Sequence, residues 1–94
     1  MALKTEPLDI AGLLRTPEDQ VEFLRVCLED GDVAEINHAL GIIARARGMT
    51  EVARLSGLGR ESLYKALRED SRPEFATILR VMKALGLKLT VEPA

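Results

Sequence analysis

The chain has 94 residues, 47% apolar and 3% aromatic, which fits one domain with a core of Leu, Ile, Val and Ala and leaves no room for a second. Charged residues make up 30% and are interleaved with apolar ones, a pattern that excludes general disorder. No apolar run reaches membrane-spanning length, and no basic stretch followed by an apolar one opens the chain, so a cytoplasmic protein with no membrane partner is expected. The net charge of −2 hides an asymmetry: residues 1–38 hold three Lys/Arg against nine Asp/Glu, and residues 39–94 hold ten against six. A basic half suits an anionic partner such as nucleic acid, and an acidic half suits a basic one. An unevenly charged but merely solvated surface is the alternative reading at this point.

In chain order, residues 1–15 form an N-terminal arm, in which Asp9 is placed to cap one short helical turn. The single helical domain then spans 16–91. Thr16-Pro17-Glu18-Asp19 is a helix start: Thr16 as N-cap, Pro17 at the first helical position and two carboxylates at the positive end of the dipole. Val21, Phe23, Leu24, Cys27 and Leu28 supply its apolar face up to a stop at Gly31. Asp32-Val33-Ala34-Glu35 starts a second helix by a carboxylate form of the capping box, with Ile36, Ala39, Leu40 and Ile43 on one side and a stop at Arg47-Gly48. Two short helical patterns follow, Thr50 to Ser56 and Arg60 to Arg68, separated by Gly57-Leu58-Gly59. After a polar loop, Pro73 opens a last helix carrying Phe75, Ile78, Leu79, Met82 and Leu85. Residues 87–91, Leu-Lys-Leu-Thr-Val, alternate at period two and predict one short strand. Its pairing partner is open: a second subunit, the N-terminal arm or the sheet edge of another protein. The fold class expected is all-α, a bundle of about five helices with this C-terminal strand.

Catalysis, metals and cofactors find little support. Cys27 and His38 are the only residues of their kinds, too few for a zinc site, an intrachain disulfide or a nucleophile with its base. Glu29, Asp30, Asp32 and Glu35 cluster, but capping accounts for Asp32 and Glu35, and the stretch is too short for a Ca²⁺ loop. With no phosphate loop either, neither an enzyme nor a small-molecule substrate is expected.

The two short patterns, residues 49–68, have the spacing of a helix-turn-helix. Such a pair crosses steeply, so Ala53 is small where the second helix approaches, Gly57 takes the positive φ that reverses the chain, and Leu63 faces the core with Val52 and Leu58. The other face of the second helix is left to Arg60, Glu61, Tyr64, Lys65 and Arg68. In a DNA reader that helix enters the major groove. Arg60, Glu61 and Tyr64 are then base-contact candidates, with Arg60 suited to guanine and Glu61 to cytosine. Ser62, Lys65 and Arg68 suit phosphates, as do Thr50 and Arg54 at the first helix, and Gly59 at the start of the second joins the candidate DNA-binding set. A plain helical bundle uses the same turn, which leaves a protein-interaction module as the competing reading.

The residues Ile42-Ile43-Ala44-Arg45-Ala46-Arg47-Gly48-Met49-Thr50 and Gly57-Leu58-Gly59-Arg60-Glu61-Ser62-Leu63-Tyr64-Lys65-Ala66-Leu67 closely resemble the HigA-like addiction-module antidote proteins, antitoxins of the Xre and Cro repressor-like superfamily. Pro73-Glu74-Phe75-Ala76-Thr77 and Leu28-Glu29-Asp30-Gly31-Asp32 extend the likeness to about residues 9–91. The resemblance implies a lambda-repressor-like fold and a homodimer that binds a palindromic operator and represses its own operon. It also implies neutralisation of a RelE/HigB-like toxin, for which the acidic first helix offers a surface. An orphan or phage-type repressor without a toxin is the alternative. Three positions depart from the family pattern: Gly59 replaces a Ser or Thr N-cap, worth a few tenths of a kcal/mol, Glu51 brings a negative charge where Gln often meets phosphate, and Arg72 stands in place of Asn and can add a phosphate contact.

Overall fold

The structure, a computed structural model, describes residues 16–94. The expected arm over 1–15 lies outside the described residues. Five helices are present among the latter: α1 (Pro17–Asp30), α2 (Val33–Arg47), α3 (Met49–Ser56), α4 (Arg60–Ala66) and α5 (Phe75–Ala84). Their starts and stops follow local chemistry. Thr16 Oγ1 accepts from the Asp19 amide at 3.1 Å, and Asp32 Oδ1 accepts from Ala34 at 2.9 Å and Glu35 at 3.4 Å, so two amides left orphaned at the start of α2 and one at the start of α1 are satisfied.

One core joins all five helices. α1 packs on α2, and α3 packs on α2, α4 and α5. Leu40 and Ile43 of α2, Val52 of α3, Leu63 of α4, and Val81 and Leu85 at α5 are buried almost completely. No described helix is long and apolar enough to cross a membrane. Cys27 belongs to the same core; burial first, then the charges of Glu35 and Asp30, push its thiol up from the ordinary value, which suits a packing role and disfavours the thiolate.

Three expectations are corrected by this packing. The strand over 87–91 is not formed: among the described residues no strand runs beside it, and a solitary strand has nothing to satisfy its backbone. Instead the Leu87 amide donates to the Met82 carbonyl at 2.8 Å, which turns Leu87 back onto the core, while Leu89 is 39% and Val91 97% exposed. The last helix begins at Phe75, two residues after Pro73, and its buried stripe is centred on Ile78, Val81, Met82 and Leu85. At 100° per residue this places Phe75 and Leu79 at the stripe's edge, and both are exposed. In α1 the inward face is Gln20, Leu24 and Cys27, whereas Val21 and Leu28 are exposed and border a groove of about 400 Å³ shared with Met82, Leu87 and Leu89.

Polar side chains brace the helices over long sequence separations. Arg47, at the end of α2, donates through Nε to Gln20 Oε1 and through Nη1 to the Leu85 carbonyl, both at 2.8 Å. Asn37, only 1% exposed in the middle of α2, donates its amide to the carbonyls of Arg68 and Ser71, each at 3.0 Å. These bonds fix the chain leaving α4. Replacing Asn37 by Ala removes both bonds while each carbonyl keeps one other donor, the Ser71 amide for Arg68 and Arg72 Nη1 for Ser71. The expected loss of stability is about 1–3 kcal/mol for the two bonds together, read from the midpoint of a urea denaturation. A loss below about 0.5 kcal/mol, the range of neutral surface changes, would show that water replaces the amide.

Candidate nucleic-acid interface

The pair α3 and α4 is built around small and apolar residues at the crossing. Val52 and Ala53 are buried on α3, Leu63 is the one buried residue of α4, and Leu58 is half-buried in the turn. Gly57 closes α3 at φ 77°, a conformation that costs side-chain-bearing residues. Its approach to α5 is also close: a Cβ on Gly57 would stand 2.8 Å from Arg80 Nη2. Arg80 Nε donates to the Ser56 carbonyl at 3.0 Å, a cation placed on the negative end of α3. This contact was not legible in the sequence, because Arg80 occupies an ordinary polar position of the α5 pattern.

All ten candidate positions are exposed: Thr50, Arg54, Gly59, Arg60, Glu61, Ser62, Tyr64, Lys65, Arg68 and Arg72. Some of them are brought together. Arg60 Nη2 donates to the Tyr64 hydroxyl at 3.1 Å with the guanidinium 5.5 Å from the ring centroid, so these two form one unit on the face of α4. Ser62, Lys65 and Arg68 line an open groove of about 410 Å³ with Leu58, Pro73 and Thr77. Thr50 and Arg54 stand on α3, while Arg72 folds back to donate to the Ser71 carbonyl at 3.0 Å.

Two candidate arginines are already engaged by carboxylates. Arg54 Nε donates to Glu51 Oε1 at 3.2 Å and its Nη2 to Glu51 Oε2; this bonding holds the Glu51 carboxyl below its ordinary value and raises Arg54. Arg68 grips Asp70 with Nε at 3.2 Å and Nη2 at 3.1 Å, and the same guanidinium holds the Asp70 carboxyl down. The sequence suggested a negative charge near phosphate at Glu51 but missed Asp70. Glu69, its neighbour, pairs elsewhere, with Oε2 2.8 Å from His38 Nδ1.

The cap of α4 is glycine, with no side-chain hydrogen bond, at φ 80° and ψ 157°. That backbone region is essentially restricted to glycine. Serine at this place is therefore not a simple gain, since the cap bond it offers competes with the strain of the backbone it inherits.

The family model described as "Probable addiction module antidote protein" matches residues 4–93. An uncharacterized protein of Haemophilus influenzae is 41% identical over 92 residues, covering 98% of this chain and 95% of that protein. No solved structure matches significantly.

The Gly59 geometry gives a direct expectation. Gly59→Ser lowers stability by about 1–2 kcal/mol, the glycine-only backbone costing about 1–3 and the new cap returning a few tenths. Thermal and urea unfolding measure it; a stabilised variant would mean that the turn relaxes to accept a capping residue.

Proposed function

The chain belongs to the family of probable addiction module antidote proteins, and from that premise we propose that it is a DNA-binding antitoxin of the Xre-like helix-turn-helix type. It neutralises a RelE/HigB-like toxin and represses its own operon. The observation that carries the DNA part is the construction of α4. This helix commits only Leu63 fully to the core, is held by the Ala53 and Gly57 crossing, and turns Arg60, Glu61, Ser62, Tyr64 and Lys65 outward. A short helix so presented fits a major groove, where Arg60 steadied by Tyr64 reads a guanine edge and Lys65 and Arg68 meet phosphates.

On this reading the protein acts as a homodimer in the cytoplasm, with two copies of α4 in successive major grooves about 34 Å apart. It has no catalysis of its own and uses no cofactor. The acidic, exposed residues Glu18, Glu22 and Glu29 of α1 offer a basic ribonuclease a surface away from the DNA face.

Binding to the DNA upstream of the gene, titrated at several salt concentrations, tests the reading. Arg60→Ala relaxes preference at one or two base pairs, at about 1–3 kcal/mol. Lys65→Ala weakens all sequences alike and lowers the salt slope by about one unit. Co-expression with the neighbouring reading frame tests the other half: a small basic protein that co-purifies and whose toxicity is relieved supports the antitoxin. DNA binding without such a partner favours a solitary repressor, and no binding at low salt overturns the DNA assignment.

A further inference from the structure

The segment from Met49 to Arg72 holds five Lys/Arg against four Asp/Glu, a slender excess for a surface that must compete for a polyanion. The distribution of those charges is more telling than the total. Arg54 and Arg68 each have both arms of the guanidinium fork on a carboxylate, Glu51 for the first and Asp70 for the second. A carboxylate, like a phosphate, offers this fork two charged oxygens that it can grip together. Both pairs are exposed, with side-chain exposures of 55–72%, so they are not packing devices and contribute little to folding.

We propose that Glu51 and Asp70 are built-in competitors for the phosphate backbone, occupying the two arginines that flank the reading helix and setting the protein's DNA affinity low. The inference rests on the DNA-binding reading above and concerns how tightly, and on what terms, that surface engages. When the protein docks, each arginine exchanges a carboxylate for a phosphate, and the displaced carboxylate stays beside the DNA as a repelling charge. The arginine's net contribution to affinity is therefore close to cancelled. Sequence-independent attraction falls most, because it is made of phosphate contacts, while Arg60 and Tyr64, which among the described residues are bound to each other and to no carboxylate, retain their role at base edges. The device trades general affinity for selectivity among sites.

The fork at Asp70 is the better test, since the loop provides its own control. Glu69 carries the same charge one residue away and faces His38 instead of an arginine. Asp70→Asn is expected to tighten binding to both operator and unrelated duplex about five- to ten-fold near 0.1 M salt and to steepen the salt dependence by about one unit, the signature of one added phosphate contact. Glu69→Gln removes the same charge and is expected to change affinity by less than half as much on a logarithmic scale. The double-mutant cycle decides the mechanism. Arg68→Ala costs little in the parent, where Asp70 cancels it, and costs several-fold more in the Asp70→Asn background.

Equal losses from Arg68→Ala in both backgrounds, or equal gains from Asp70→Asn and Glu69→Gln, would overturn the proposal while leaving DNA binding intact. Failure of parent and variants alike to bind any duplex at low salt would overturn the DNA reading and the proposal with it. Unchanged melting temperatures, expected for three exposed side chains, keep the comparison about binding.

Discussion

The crossing of α3 and α4 is the constraint on which the remaining structure depends. α3 is only eight residues long, yet it touches α2, α4 and α5, and it does so with small and branched side chains at successive positions. Val52 is buried in the core, and the small side chain of the likewise buried Ala53 keeps the adjacent helix surface low. Gly57 then ends α3 in a left-handed conformation and redirects the chain. Because α4 is seven residues long with one residue fully buried, its own helical propensity could not maintain it. Leu63 and the geometry of the turn hold it in place.

The polar braces share one pattern. Helices α3 and α5 end with carbonyls that lack intrahelical partners, and those two ends and the loop after α4 are each met by a side chain from elsewhere in the sequence. Arg80 reaches Ser56, Asn37 reaches Arg68 and Ser71, and Arg47 reaches Leu85. Two of the three are cations on the negative end of a helix, so hydrogen bonding and dipole act in the same sense. These bonds fasten the termini, which is where short helices fray, and so they fix the outward aim of α4 without adding bulk to a core built mainly of aliphatic side chains.

Features governed by neighbours in sequence were readable before the fold was known. Thr16 and Asp32 cap the helices they were expected to cap, Ala53 and Leu63 are buried, and Gly57 takes the positive φ that its place between α3 and α4 required. Features governed by tertiary rotation were not. A period-two alternation over 87–91 says that a strand can form, but only an adjacent backbone makes one, and Leu87 turns toward the core instead. Apolar residues at helical spacing fixed the identity of α5 but not its centre line, which Val81 draws away from Phe75. At the candidate interface the exposed positions were legible from the pattern, whereas the pairing of Arg68 with Asp70 was not, because charge signs two residues apart do not reveal which way a fork is turned.

The charge asymmetry of the sequence acquires a spatial meaning from this arrangement. The acidic first helix packs chiefly on α2, while the cations of the proposed DNA face lie on α3, α4 and the loop that follows. α2 stands between them and touches both sides: its Arg47 bonds Gln20 on α1, and its Asn37 bonds the backbone leaving α4. A partner that displaced α1 would therefore reach the proposed DNA face chiefly through α2, a fifteen-residue helix with seven buried positions from Asn37 to Ala44. Such a helix resists displacement, because its side chains are close-packed and shifting any one shifts its neighbours. On the proposed reading the consequence is two surfaces that work independently, an acidic face for a partner and a helix for DNA, both carried on one rigid support.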